Sequence, residues 1–302
     1  MISWIINLFS FAFRSFICTF AAIIHYILII TDTLLIMKKF LLTMAAIATF
    51  ATGFAQKTLV LYYSETGTTK TVAELLQRPL HADIESIEPV EPYTGDFQKT
   101  IQRGQREMQS GETPALKPLK SNIADYDVIF LGYPIWFGTY AMPIATLVKE
   151  YDFAGKTIVP FCTFGSGGLN TSTEALKKAL PKAIIKDGYG VRTARVAAAE
   201  KELDRFLKEN HFIEGSVEAW PDYSAQKPVT DDDKAIFDTA CSGYQMPLGT
   251  PFSVGKRETS ESFDYQFSVN SRGFDGKETV STIYVTVSKT PGAQPEFTQV
   301  VR

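Results

Sequence analysis

The segment Ser64-Glu65-Thr66-Gly67-Thr68-Thr69-Lys70 places four hydroxyls around one glycine, directly ahead of a run of helical composition. Hydroxyls at this density, a residue that lets the chain turn tightly and the unpaired N–H groups of a helix start make a cradle for an anion such as a phosphate. The spacing is neither that of a Walker loop nor that of a GxGxxG turn. Taken alone, the run also fits a polar strand-to-helix turn in which Thr68 or Thr69 merely caps the helix.

Two further segments carry chemistry. Gly132-Tyr133-Pro134-Ile135-Trp136-Phe137-Gly138-Thr139-Tyr140 is an aromatic loop in a Gly/Pro setting, the composition that stacks a flat group or folds back onto a core. Thr163-Phe164-Gly165-Ser166-Gly167-Gly168-Leu169-Asn170 is Gly-rich and allows close approach of backbone N–H groups to a ligand edge, and by itself fits a flexible turn before a capped helix equally well. Together the three loops suit a mononucleotide with a planar head. Tyr93, Tyr133 and Tyr140 are secondary candidates, the last two as neighbours of the aromatic loop. Arg103, Arg106 and Glu107 read as a charged solvated face, and Cys162 and Cys241 as small buried hydrophobes.

Composition removes other chemistries. With 30 Lys+Arg against 33 Asp+Glu and a formal charge of −3, the chain lacks the basic footprint that nucleic-acid binding requires. Three cysteines and three histidines, widely scattered, make neither a disulfide framework nor a typical zinc site. Redox or transfer chemistry would therefore come from a bound cofactor.

The elements that must hold these loops follow from hydrophobic period. Apolar runs at 57–64, 82–90, 127–135, 156–164 and 183–191 alternate with helical stretches at 68–77, 97–110, 141–151, 170–180 and 197–210, the signature of βαβ units around a parallel sheet. Asn170 or Thr171 is the expected cap of the fourth helix. Each candidate loop follows the carboxyl end of a strand, where ligands bind in such sheets. After His211 the alternation stops. A linker over 213–229, a helix from Thr230 through Cys241 and period-two runs at 252–257, 264–270, 280–288 and 297–301 predict a small α+β domain.

Ser64, Thr66, Gly67 and Thr69, followed by the YPIWFG segment, resemble the flavodoxin family over about 57–210. The resemblance implies a three-layer doubly wound α/β fold with a five-stranded parallel sheet in the order 2-1-3-4-5, and noncovalently bound FMN. In that reading Ser64, Thr66, Gly67 and Thr69, with Glu65 and Thr68 between them, surround the phosphate. Trp136, with Pro134, Ile135, Phe137 and Gly138, flanks the isoalloxazine ring, and Thr163, Phe164, Gly165, Ser166, Gly167 and Gly168 meet its polar edge. Family members often carry Asn at the position of Thr68. Many also carry acidic residues and a Tyr in the third loop, which here has neither. Negative charge near a flavin disfavours its anionic reduced form, so this loop implies a less strongly reducing cofactor.

The first 55 residues differ from the rest. Met37-Lys38-Lys39, the apolar run 40–50 and Gly53-Phe54-Ala55 have the three parts of a Sec-type signal, with cleavage expected after Ala55 and Met37 as the expected start. Residues 1–36 offer a membrane anchor as the alternative. The expected organisation is an amino-terminal segment over 1–55, a flavodoxin-like domain over 56–212, the linker, and the α+β domain over 230–302. The expected function is electron transfer through FMN in the periplasm or cell envelope, with an unidentified redox partner or small-molecule acceptor, no nucleic acid, and no membrane for the mature form. A flavin reductase using NAD(P)H or a quinone, and an envelope-binding protein working through its carboxy-terminal domain, are the alternatives.

Overall fold

The computed structural model describes residues 56–93, 96–272 and 278–301. The signal-like and anchor-like features within 1–55 lie outside the described residues. The fold below is that of the unit Gln56–Arg302.

Five apolar runs become a parallel sheet. Strand β1 (Thr58–Tyr62) is followed by helix α1 (Thr68–Leu80), β2 (Asp83–Ser86), α2 (Phe97–Ser110), β3 (Val128–Trp136), a two-residue β4 (Thr139–Tyr140), α3 (Met142–Glu150), β5 (Thr157–Phe164), α4 (Leu169–Ala179), β6 (Ile184–Ile185), β7 (Tyr189–Arg192) and α5 (Ala199–Glu209). The parallel order is β2-β1-β3-β5-β6, with β7 continuing beside β5, which is the expected 2-1-3-4-5 arrangement. Alternate residues of β1 serve opposite faces. Leu59, Leu61 and Tyr63 join Ile144, Leu147 and Leu176 of α3 and α4, whereas Val60 and Tyr62 join Val72, Leu76, Leu203 and Leu207 of α1 and α5. Apolar side chains on both faces are why the strands read as continuous hydrophobic runs.

Three details differ from expectation. The fifth strand, expected unbroken over 183–191, splits into β6 and β7. Ile158 O accepts from Lys186 N, so Pro160, two residues on, faces the same neighbour with no N–H to offer, and the ladder breaks there. Helix α4 is not capped by Asn170 or Thr171. Its N-cap is Gly168 at φ 123°, without a side-chain cap, and the helix starts at Leu169. Strand β2 ends at Ser86, and Pro89 makes only an isolated bridge to Leu116.

The remaining chain forms an antiparallel sheet in the order β12-β11-β10-β9-β8, built from β8 (Lys227–Pro228), β9 (Thr250–Glu258), β10 (Ser262–Arg272), β11 (Glu278–Ser288) and β12 (Glu296–Val301). One face carries α6 (Asp231–Cys241), whose Phe237 packs with Phe267, Ile283 and Phe297. Thr230 and Asp233 close a capping box at its start, which satisfies two N–H groups that the helix itself leaves unpaired. Among the described residues no helix is long and apolar enough to cross a membrane.

Gly132 of β3 lies opposite Phe161 of β5 in register, and a Cβ there would sit 2.1 Å from the buried Phe161 ring. Gly132→Ala is expected to destabilise the protein by about 1–3 kcal/mol, read as a lower thermal midpoint by circular dichroism.

Candidate functional site

Loop one leaves β1 at Tyr63 and enters α1 through Gly67, which caps the helix at φ 89° and ψ −17°. This left-handed conformation suits glycine. No heavy atom lies within 4 Å of where its Cβ would be, so the space over the loop is open. The first N–H groups of a helix have no intrahelical acceptor. Ser64 Oγ accepts from Lys70 N at 3.2 Å and Gly67 O accepts from Thr71 N, which leaves the N–H groups of Thr68 and Thr69 without a protein acceptor among the described residues. The hydroxyls of Thr66 and Thr68 are 3.4 Å apart on the exposed side. The side chains of Thr68 and Thr69 do not cap the helix.

Thr69 departs from the sequence reading. Its hydroxyl turns inward and pairs with Thr163 Oγ1 at 2.8 Å, both residues being at most 3% exposed. Only its N–H remains for a ligand. Glu65 is drawn aside by Tyr63, whose hydroxyl donates to Glu65 Oε2 at 2.6 Å. Burial, and then this hydrogen bond, hold the Tyr63 phenol above its ordinary pKa, so it stays a donor.

Loop two is a hairpin. Ile135 pairs with Tyr140 and Trp136 with Thr139, and the two turn residues Phe137 and Gly138 both have positive φ, 50° and 82°. That is the geometry of a two-residue turn with both central residues left-handed, which is costly for a residue with a side chain such as Phe137. Its ring is 42% exposed, with one edge against Gly104 of α2. Trp136 is half-buried in an aromatic cluster, edge-on to Tyr93 at 4.9 Å and to Tyr63 at 5.8 Å.

Glu65 and Thr66 of loop one and residues 134–137 of loop two meet in a cavity of about 320 Å³, lined by Glu65, Thr66, Pro134, Ile135, Trp136 and Phe137 together with Phe97, Thr100 and Ile101 of α2. The α2 residues were not among the sequence candidates. Their only sequence signal is the apolar pair Phe97 and Ile101, which lie four apart and so share one helix face. Tyr133 and Tyr140, expected as neighbours of the aromatic loop, do not line this cavity. Tyr133 is fully buried and donates to Ser172 Oγ at 3.2 Å, and Tyr140 packs on it. Tyr93 does not line the cavity either, but packs edge-on behind Trp136, which does.

Arg103 and Glu107 are not a solvated face either. The Arg103 guanidinium lies 4.0 Å from the Tyr93 ring centroid, donates to Glu107 Oε1 at 2.8 Å and to the carbonyls of Glu91 and Pro92, while Tyr93 donates to Glu107. This network braces Tyr93 against Trp136. Arg106 is exposed, as expected. Cys162 is fully buried, which pushes its thiol pKa up, and Cys241 is half-buried with its thiol pushed up to about 12; both shifts disfavour the reactive thiolate.

Loop three follows β5. It is tied to loop one by the Thr163–Thr69 pair and to loop two at Gly168, where a Cβ would come within 2.6 Å of Ile135. It does not line the cavity. Phe164 points into the core, Gly165 O accepts from Arg192 Nε at 2.8 Å, and Ser166 O accepts from Val300 N at 2.7 Å. Among the described residues no cluster of three metal-ligating side chains is present.

A sequence profile of the family described as Flavodoxin matches residues 57–210, which is half of the chain. The chain belongs to the flavodoxin family. Among solved structures it is similar to one from Bacteroides eggerthii DSM 20697 described as a flavoprotein, with 35% identity over 49% of this chain and 98% of that one and a TM-score of 0.43. A Bacteroides uniformis ATCC 8492 structure, also described as a flavoprotein, has 32% identity over 49% and 98% of the two chains, with a TM-score of 0.45. A flavoprotein in complex with FMN from Lactobacillus acidophilus NCFM has 23% identity over 51% and 99%, with a TM-score of 0.42. Among curated proteins none matches.

Replacing Thr69 by Val leaves the Thr163 hydroxyl buried without its partner. Thr69→Val is expected to lower unfolding free energy by about 1–3 kcal/mol, measured by urea denaturation, whereas Thr69→Ser keeps the hydroxyl and most of the stability.

Proposed function

We propose that this protein binds FMN noncovalently and exchanges electrons through it. The observation that carries this reading is a cavity with Glu65 and Thr66 of loop one on one side and the aromatic hairpin on the other, next to the start of α1. A phosphate dianion fits the start of α1, where the Thr68 and Thr69 amides, the Thr66 and Thr68 hydroxyls and the positive end of the helix dipole lie together. A flat ring fits the Trp136 and Phe137 side of the same cavity. The donor set is thus that of a phosphate, and the wall that of a planar heterocycle.

FMN, when bound, supplies the redox chemistry, taking up and releasing electrons. The chain's own residues bind, orient and shield. Gly67 aims the amides, Ser64 holds the first turn of α1 by accepting from Lys70, and Tyr63 keeps the Glu65 carboxylate aside. Phe137 is presented by its strained turn, and Tyr93 backs Trp136.

A second reading, a reductase that passes electrons from a nicotinamide donor to a quinone-like acceptor, is favoured by the charge beside loop three. That loop has no acid, and the Arg192 guanidinium is bonded to its Gly165 carbonyl. A positive charge there favours an anionic reduced flavin and raises the potential. Substrate-dependent oxidation of NAD(P)H by the loaded protein is the expected result for a reductase, and none for a carrier.

Export by the Sec route belongs to the same proposal and is supported by the order of features in 37–55. Mass spectrometry of the protein from its native cell is expected to find Gln56 as the first residue, and a retained Met37 contradicts export by cleavage.

Titration of Gln56–Arg302 with FMN, followed by flavin absorbance and fluorescence, is expected to show saturable binding. Thr66→Ala is expected to weaken it by about 1–3 kcal/mol for a lost hydrogen bond to a charged phosphate. Correctly folded protein that leaves tens of micromolar FMN unbound contradicts the reading.

A further inference from the structure

The glycine-rich loop after β5 has a second occupant on its outer side, the last strand of the carboxy-terminal sheet. Arg192, at the end of β7, spans the seam. Its Nε donates to Gly165 O at 2.8 Å, its Nη1 donates to Phe297 O at 2.8 Å, and its guanidinium lies 4.1 Å from the Phe297 ring centroid. Val300 N of β12 donates to Ser166 O at 2.7 Å. A Cβ on Gly167 would lie 2.2 Å from Val300 O, so only glycine lets β12 come this near. Beside this contact Arg195, 12% exposed, donates to Glu296 Oε2 at 2.8 Å and is anchored by Glu202 at 3.0 Å.

These contacts determine how the loop's peptides face. In a planar trans peptide the C=O and the following N–H point in opposite directions. Arg192 holds the Gly165 carbonyl and Val300 holds the Ser166 carbonyl, so the N–H groups of Ser166 and Gly167 are directed away from Arg192 and β12. A loop of Gly-Ser-Gly-Gly composition has many competing conformations, and fixing it before a ligand arrives removes an ordering cost from binding.

We propose that the carboxy-terminal sheet is a positioning element for the flavin, in which Arg192 and β12 hold Gly165–Gly167 in the one arrangement that presents the Ser166 and Gly167 amides to the polar edge of the ring. This rests on the FMN reading above. Arg192 and Val300 are positioning residues that act through the loop rather than by touching the cofactor. The bidentate span from Gly165 to Phe297 requires the arginine fork, because a lysine ammonium is a point donor on a flexible stem. The seam also contains an ion pair remote from the loop, Lys201 with Glu261 at 2.6 Å, in which both side chains are more than half exposed. It provides the control.

The test is an FMN titration of the full chain with the midpoint potential of the bound flavin and the thermal midpoint of the ligand-free protein, for the natural chain, Arg192→Ala, Arg192→Lys, Gly167→Ala and Lys201→Ala. Arg192→Ala and Gly167→Ala are expected to weaken FMN binding about tenfold or more, as for one or more lost hydrogen bonds to the ring, and to shift the potential at saturating FMN. Arg192→Lys falls between them and the natural chain, and Lys201→Ala matches the natural chain in affinity and potential. A purely structural role would lower the thermal midpoint and leave the potential where it was in saturated Arg192→Lys and Gly167→Ala, the two variants that keep the positive charge beside the loop. If Arg192→Ala does not fold, Arg192→Lys and Gly167→Ala decide. Natural affinity and potential in those variants overturn the positioning role and leave the FMN reading standing, whereas a natural chain that does not bind FMN overturns both.

Discussion

The buried hydrogen bond between the hydroxyls of Thr69 and Thr163 joins two segments 94 residues apart in sequence, the start of α1 and the end of β5. Neither hydroxyl can reach water, so each depends on the other for its partner, and separating them would leave two unsatisfied buried groups. The consequence reaches beyond local stability. With this pair closed, loops one and three are held at a set spacing, and the Thr69 amide is turned toward the open side of the helix start while its side chain stays inside. Loop two is brought against loop three by Ile135 packing at Gly168. The arrangement of all three loops thus depends on contacts at the carboxyl ends of β1, β3 and β5, where the parallel sheet delivers them.

Around this junction the polypeptide divides its work between rigidity and presentation. Edge-on aromatic packing of Tyr63, Tyr93 and Trp136, braced by Arg103 and Glu107, makes a stiff wall. Phe137 is the opposite case, an exposed ring on a left-handed residue whose backbone cost persists because the β3–β4 hairpin leaves no other conformation. Loop three is held from within the α/β domain by Arg192 of β7 and from outside it by β12. One loop of the α/β domain thus bonds to a strand of the carboxy-terminal sheet.

Much of the architecture was legible because burial on both faces of a parallel sheet leaves unbroken apolar runs, and 57–64, 127–135 and 156–164 each became a strand within a residue or two. Loops one and two were legible for a different reason, their unusual local composition. What escaped was non-local. Only the apolar pair Phe97 and Ile101 hints that α2 lines the cavity, and Tyr93 lies 43 residues before the Trp136 on which it packs. The glycines of loop three were read as a means of approaching a ligand. Gly167 instead admits the backbone of β12 and Gly168 admits Ile135, leaving Gly165 open. The break in the fifth strand follows from Pro160 on the neighbouring strand, a cause that period counting within 183–191 cannot detect.

The most direct test of the account is a titration of ¹⁵N-labelled protein with FMN, following each backbone amide by NMR. The structure predicts large, saturable shifts at Thr68 and Thr69 on loop one and at Ser166 and Gly167 on loop three, all with one dissociation constant, and little change across β9, β10 and β11. Shifts confined to the carboxy-terminal sheet, or none at the Thr68 and Thr69 amides while FMN binds elsewhere, would contradict the claim that these loops form one flavin site.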